Sequence, residues 1–107
     1  MKTSHGLTNE TVAQIHEVFA RFPAVEQAVL YGSRAKGNYK PGSDIDLTLV
    51  GADVTANILG QVRGELDDGL LPYTFDLSML ADIRHSDLLD HIRRVGVVFY
   101  EKKPLPA

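Results

Sequence analysis

Apolar residues recur at helical spacing in three parts of the chain. The first run follows Thr8, a residue suited to a helix N-cap, and predicts a helix over about 9–21. A second amphipathic run predicts a helix over 54–67. A third predicts a helix that is capped by Ser86 or Asp87 and ends near residue 94, before a glycine.

Short apolar runs between these helices predict the strands of a small sheet. The polar residues 34–43, which include glycine and proline, predict a loop, and the first seven residues predict a loose start. The resulting order, αββαβαβ, predicts an α+β fold, a small mixed sheet with helices packed on one face. The predicted strands are Ala28–Tyr31, Ile45–Val50, Tyr73–Leu80 and Val97–Tyr100.

Length and composition indicate one domain in a reducing compartment. The 107 residues are 44% hydrophobic and 23% charged, the balance of a soluble globular domain. We expect that domain to occupy 1–107, with its core over about 8–101 and a flexible C-terminal tail. The chain shows no cysteine, no apolar run that could span a membrane and no secretory leader, so a cytoplasmic location is expected. The net charge of −3 is not the basic excess of a general nucleic-acid binder, so direct nucleic-acid binding is not expected.

Two aspartates at the start of the second predicted strand are the first candidates for chemistry. Asp44 and Asp46 are two residues apart, so an extended strand places both on one face, about 6.6 Å apart along the backbone. Neighbouring carboxylates repel each other, and a hard divalent cation such as Mg²⁺ would neutralise them. For this pair alone, two solvated acids are the commoner explanation. Asp76 changes that balance, because an aspartate inside an apolar strand is rarely buried unpaired and would join the pair if the two strands are neighbours.

A glycine–serine turn directly after the first predicted strand is the second candidate. Gly32 permits close approach of the backbone to an anion, and Ser33 offers a hydroxyl and an N–H group. Arg34 and Lys36 follow as candidate cations for phosphates, although a single cation is most often a solvated surface group. Ser43, beside the acids, completes the candidate nucleotide-binding residues.

Acids that hold magnesium beside a turn that holds phosphates indicate phosphoryl or nucleotidyl transfer. In a two-metal site the ions contact both the attacking and the leaving oxygen. Asp44 and Asp46 would then bridge two Mg²⁺ ions. Asp76 would bind the ion that activates the attacking hydroxyl, and it is a candidate to accept the proton of that hydroxyl.

The spacing of these residues resembles that of a known family. Gly32–Ser33, ten further residues and then Asp44–Asp46 are similar to the G-S-x(10)-D-x-D motif of the DNA polymerase β-like nucleotidyltransferases. In so short a chain the motif resembles their minimal members, the MNT proteins, and the resemblance covers nearly the whole sequence. It implies the nucleotidyltransferase fold, ATP as substrate, phosphate binding by the glycine–serine turn and metal binding by the three aspartates.

The resemblance also implies a partner and an acceptor. Many minimal nucleotidyltransferases are encoded beside a HEPN-domain RNase toxin and act as its antitoxin, and some transfer AMP from ATP to a tyrosine of that toxin. Since so small a domain leaves little surface to select an acceptor, a partner chain or a second copy of this chain would complete the site. Two alternatives remain open: an antitoxin that neutralises its toxin by binding alone, and nucleotidylation of a small hydroxylated molecule such as an aminoglycoside.

Overall fold

A four-stranded mixed sheet forms the centre of the protein. The computed structural model describes residues 3–69 and 71–102. In chain order the elements are β1 (Thr3–Ser4), β2 (Leu7–Thr8), α1 (Asn9–Ala20), β3 (Gln27–Tyr31), α2 (Gly32–Lys36), β4 (Ile45–Val50), α3 (Ala56–Asp68), β5 (Phe75–Met79), a 3₁₀ turn (Leu80–Asp82), α4 (Ser86–Val95) and β6 (Val97–Glu101). The main sheet has the spatial order β5-β4-β3-β6, and β1 and β2 form a separate hairpin. The α+β fold with a mixed sheet is therefore confirmed.

The register of the sheet brings distant parts of the chain together. The strand β3 is antiparallel to both of its neighbours, β4 and β6, whereas β4 and β5 are parallel. A parallel pair requires a crossover connection, and α3 supplies it between β4 and β5. In this register Asp46 lies beside Asp76 on one side and opposite Tyr31 on the other.

One face of the sheet carries the hydrophobic core, and α1 and α3 cover it. Side chains alternate between the two faces of a strand, so the buried residues of β3 and β4 on this face lie two positions apart. The core cluster consists of Leu7, Ile15, Val18, Phe19, Val25, Ala28, Leu30, Ile45, Leu47, Leu49, Val62, Leu66, Phe75, Leu77 and Phe99. The apolar stripes predicted for the first two long helices are thus the stripes that the fold buries.

The helix α4 lies against the opposite face of the sheet. The ring of His91 contacts the ring of Tyr31, with centroids 6.2 Å apart. A Cβ added to Gly96 would lie 2.9 Å from Cγ1 of Val29. Because Val29 and Tyr31 alternate with the core residues of β3, this contact places α4 on the face that carries Asp46, and not on the face that α1 and α3 cover. The prediction that all helices pack on one face of the sheet is therefore wrong, because α4 packs on Val29 and Tyr31 of the opposite face.

Two helix starts show how far capping residues predict structure. Thr8, the predicted N-cap of α1, accepts a hydrogen bond from the Thr11 N–H group at 3.2 Å, which confirms the start of that helix. The helix α4 is instead capped by His85, one residue before the predicted Ser86 or Asp87. An imidazole nitrogen can accept from an N–H group as a hydroxyl or carboxylate does, so His85 occupies the capping position.

Two further predictions differ from the structure. The predicted loose start contains the β1–β2 hairpin, and Leu7 within it is fully buried in the core. The predicted loop 34–43 begins with the last turn of α2, which ends at Gly37 with φ of +88°. Both elements are too short to show a hydrophobic period in the sequence.

Most of the predicted C-terminal tail lies outside the described residues. No helix within the described part of the chain is long and apolar enough to cross a membrane.

Candidate active site

Three aspartates lie at one end of the neighbouring strands β4 and β5. Asp46 and Asp76 are register partners, so both side chains leave the same face of the sheet, opposite the hydrophobic core. Asp44 immediately precedes β4, two residues from Asp46. Asp44 and Asp76 are exposed, whereas Asp46 is half-buried. The expectation that the strand of Asp76 is a neighbour of the strand of Asp46 is confirmed.

Asp46 is the most constrained of the three carboxylates. Its pKa is raised from 3.8 to about 6, mainly by burial and further by the negative charges of Asp76 and Asp44. Burial also raises the pKa of the Tyr31 phenol on the adjacent strand, with further contributions from Asp76 and Asp46. A bound cation next to this half-buried carboxylate would offset both the cost of burying its charge and the repulsion from the neighbouring carboxylates.

The glycine of the predicted phosphate-binding turn packs directly on Asp46. Gly32 follows β3 and has a φ of +75°, a backbone conformation that favours glycine. A Cβ at this position would collide with the carboxylate oxygen Oδ2 of Asp46. Only glycine fits here without displacing Asp46, and the turn therefore lies in contact with the acidic site.

His91 of α4 also contacts this turn. Its Nε2 accepts a hydrogen bond from the backbone N–H of Gly32 at 3.1 Å. Its ring also meets the ring of Tyr31 edge to face, at an interplanar angle of 81°. The sequence does not indicate this role, because His91 lies 59 residues from Gly32 and belongs to no local motif.

Arg34 is placed differently from the sequence prediction. Its side chain is buried, with the residue only 2% exposed. The guanidinium donates two hydrogen bonds to the carbonyl oxygen of Ser43, at 3.1 and 2.8 Å, and a third to the carbonyl oxygen of His5 at 2.9 Å. These donors are engaged inside the protein, so this position does not support a role for Arg34 in binding a nucleotide phosphate.

The other predicted nucleotide-binding residues lie around the same turn. Ser33 is half-buried in α2, and its carbonyl oxygen accepts a hydrogen bond from the Gly37 N–H group at 2.9 Å. Lys36 is exposed at the end of α2. The hydroxyl of Ser43 accepts a hydrogen bond from the Lys40 N–H group at 2.8 Å and so closes a turn in the loop. Nucleotide binding by these residues stays a prediction.

The family of the chain follows from its match to a known domain. A family model described as Polymerase beta, Nucleotidyltransferase matches residues 13–105. The chain belongs to this nucleotidyltransferase family. The match includes the glycine–serine turn and all three aspartates, and it confirms the resemblance that their spacing predicts. A comparison with curated proteins found no match.

Solved structures of toxin–antitoxin pairs contain chains with the same fold. A chain from a toxin–antitoxin structure with AMP-PNP superposes with a TM-score of 0.68 at 20% identity, over 86% of this chain and 74% of that chain. A chain from an MntA–HepT structure gives a TM-score of 0.64 at 18% identity, over 89% and 74%. A chain from the tri-AMPylated Shewanella oneidensis HEPN toxin in complex with MNT antitoxin gives 0.61 at 18% identity, over 85% and 70%. These likenesses establish the nucleotidyltransferase fold.

The residue types of the site, three carboxylates, are those that the divalent cation implied by the family takes as ligands. Hard cations such as Mg²⁺ take carboxylate oxygens as ligands, and one would offset both the burial and the repulsion that raise the pKa of Asp46. Within residues 3–69 and 71–102, no three His, Cys, Asp or Glu side chains are grouped closely enough to hold an ion as a set. Metal binding by Asp44, Asp46 and Asp76 therefore stays a prediction.

Proposed function

We propose that this protein is a Mg²⁺-dependent nucleotidyltransferase that transfers AMP from ATP to a tyrosine of a partner HEPN-domain toxin and so acts as its antitoxin. The main support is the packing of Gly32 against Asp46, next to Asp76. A turn suited to phosphates then lies against carboxylates suited to a metal ion. Family membership supports nucleotidyl transfer, and the likeness to complexes of HEPN toxins, one of them AMPylated, supports the acceptor.

Each element of the site has its own task in the proposed reaction. Asp44, Asp46 and Asp76 would hold Mg²⁺, which when bound neutralises phosphate charge and lowers the pKa of an attacking hydroxyl. Gly32 and Ser33 would hold the triphosphate through backbone N–H and hydroxyl groups. Because Arg34 is engaged by carbonyl oxygens, the exposed Lys36 is the remaining predicted cation for the phosphates.

The transfer itself exchanges one phosphorus–oxygen bond for another. The tyrosine oxygen forms a bond to the α-phosphorus of ATP, the bond from that phosphorus to the bridging oxygen breaks, and pyrophosphate leaves. The tyrosine proton must pass to a base. Asp76 is the proposed base, because it is an exposed carboxylate directly beside Asp46 at the open end of the strands.

The experiment is co-expression with the neighbouring gene product, followed by intact mass measurement of both chains. Wild type is expected to add the mass of one or more AMP groups to the partner. The Asp44→Asn/Asp46→Asn variant is expected to add none, since it removes two metal-binding carboxylates at almost constant volume. Asp53→Asn/Asp67→Asn is the matched control, because it changes two exposed aspartates outside the site, and it is expected to behave as wild type.

A second candidate function is neutralisation of the toxin by binding alone. Two observations favour it: the described acidic side chains form no set of three that could hold a metal, and the edge strand β6 exposes Val97 at 36% and Val98 at 52%. Exposed apolar residues on a sheet edge are suited to protein contact. A tight complex with no added mass, and protection of cells by the Asp44→Asn/Asp46→Asn variant, would establish this function and contradict AMP transfer.

A further inference from the structure

The buried guanidinium of Arg34 joins parts of the chain that are far apart in sequence. Its three hydrogen bonds run to the carbonyl oxygens of His5, between β1 and β2, and of Ser43, in the loop before β4. Its Cζ lies 5.4 Å from the ring centre of Tyr39 and 5.2 Å from that of Tyr73. The hairpin, the loop and the residues ahead of β5 thus meet around one side chain.

The contacts bring the hairpin very close to this cation. Gly6, with φ of +81°, lies so near that an added Cβ would be 2.8 Å from Nη1 of Arg34. The ring of His5 also forms a hydrogen bond to Arg34, with Nδ1 at 3.2 Å from the carbonyl oxygen of Arg34. Hydrogen bonds therefore run in both directions between the hairpin and Arg34.

The position of Arg34 bears directly on the acidic site. Ser43, which receives two of its hydrogen bonds, is the residue before Asp44. Tyr73, which stacks against it, lies three residues before Asp76. The three hydrogen bonds of the buried cation all end on carbonyl oxygens, and a charge in this environment holds its hydrogen-bond partners firmly because losing one is costly.

We propose that Arg34 is a positioning residue that fixes the backbone ahead of Asp44 to the β1–β2 hairpin. In this proposal the hairpin helps to position Asp44, although it contributes none of the predicted ligands itself. Only the planar fork of arginine can place two donors on one carbonyl and a third on another, so lysine is not an equivalent replacement. The proposal rests on the proposed function, because its consequence is the placement of a metal-binding carboxylate.

The test compares Arg34→Lys with Arg93→Lys, the same change at an exposed position of α4. In the AMP-transfer assay, the Mg²⁺ concentration at half-maximal rate is expected to rise roughly 10-fold to 100-fold for Arg34→Lys, as for the loss of groups that orient metal ligands. Arg93→Lys is expected to leave it unchanged. A general loss of stability would lower the folded fraction without moving this concentration.

Amide hydrogen exchange gives a readout that does not need activity. The Ser43 N–H group donates to the Lys40 carbonyl oxygen at 2.9 Å, so its exchange reports on the loop. Arg34→Lys is expected to increase the rate of amide exchange both at Ser43 and in residues 5–8. Wild-type exchange rates in either segment would overturn the proposal, and so would an unchanged Mg²⁺ concentration at half-maximal rate. A wild-type protein that transfers no AMP would overturn the proposed function instead. Mn²⁺ binding to the two variants would then decide whether Arg34 positions Asp44: weaker binding to Arg34→Lys than to Arg93→Lys is expected, and equal binding would overturn the proposal.

Discussion

At the scale of single residues, the surroundings of Asp46 disfavour the negative charge that its proposed role in metal binding requires. It is half-buried at the end of β4, beside Asp76 and close behind Asp44, and these surroundings disfavour its negative charge. Gly32 packs so closely on its carboxylate that any side chain at residue 32 would displace it. A folded protein that keeps such a group does so at a cost to stability, which points to a functional use of the charge.

The raised pKa of Asp46 predicts how stability depends on pH without divalent cations. Between pH 3.8 and about 6 the folded state binds more protons at this residue than the unfolded state does. The free energy of unfolding therefore falls as pH rises through this window, and the destabilisation is complete above it. Asp46→Asn removes the titrating group, so in EDTA its Tm is expected to exceed that of wild type at neutral pH but not at the acid end of the window.

Thermal unfolding of both proteins in EDTA across this window checks the prediction. Asp53→Asn, a change at an exposed aspartate outside the site, is the control and should follow wild type. Parallel pH curves for wild type and Asp46→Asn would show that Asp46 titrates normally. Added Mg²⁺ is expected to raise the Tm of wild type and to leave that of Asp46→Asn nearly unchanged, because bound ligand stabilises only the state that binds it.

The sequence predicts the placement of Asp46 beside Asp76, whereas it does not predict the burial of Arg34. Period-two alternation is enough to place Asp44 and Asp46 on one face, and the isolated polarity of Asp76 indicates that it belongs with them. For Arg34 the sequence shows only a cation next to a glycine–serine turn. Its burial depends on carbonyl oxygens contributed from His5 and Ser43, and no local pattern reports which backbone groups will surround a side chain.

At the scale of elements, α4 supports the glycine–serine turn that is proposed to bind phosphates. It lies on the face of the sheet away from the core helices, and His91 accepts a hydrogen bond from the Gly32 N–H group. Helix α4 is predicted from the sequence, whereas its side of the sheet follows from packing against Tyr31 and Val29. The β1–β2 hairpin and α2 could not be predicted from the sequence, because each is too short to show a repeating hydrophobic pattern.

The support by His91 predicts different effects for two substitutions. In His91→Gln the side-chain oxygen can still accept from Gly32, whereas His91→Leu leaves that part-buried N–H group without its partner. The loss of a partner for a buried donor costs about 1–3 kcal/mol. His91→Leu is therefore expected to lower the free energy of unfolding by about that amount and to weaken ATP binding, and His91→Gln to retain most of both.

Urea unfolding and ATP titration of the two His91 variants provide this comparison. The NMR chemical shift of the Gly32 amide reports on the hydrogen bond itself and should move in His91→Leu but stay near the wild-type value in His91→Gln. Equal ATP affinity for both variants and wild type would mean that α4 does not support the turn.

At the scale of the whole molecule, a small domain devotes one face of its sheet to stability and the other to chemistry. The core under α1 and α3 holds the strands in register, and that register places Asp46 beside Asp76. The opposite face collects the turn, the acids and the supporting helix α4. Family membership and fold follow from the sequence because a short motif and a regular strand pattern determine them. The acceptor does not, since in the proposed function the contacts that select it belong to a partner chain.

The most direct test of nucleotidyl transfer follows the two ends of the triphosphate separately. Purified protein and its partner chain are incubated with Mg²⁺ and ATP that carries radioactive phosphorus at either the α- or the γ-phosphate. The proposed reaction transfers the α-label to the partner and none of the γ-label, and Asp44→Asn/Asp46→Asn transfers neither. Transfer of the γ-label, or equal α-labelling by the double variant, would contradict nucleotidyl transfer by these carboxylates.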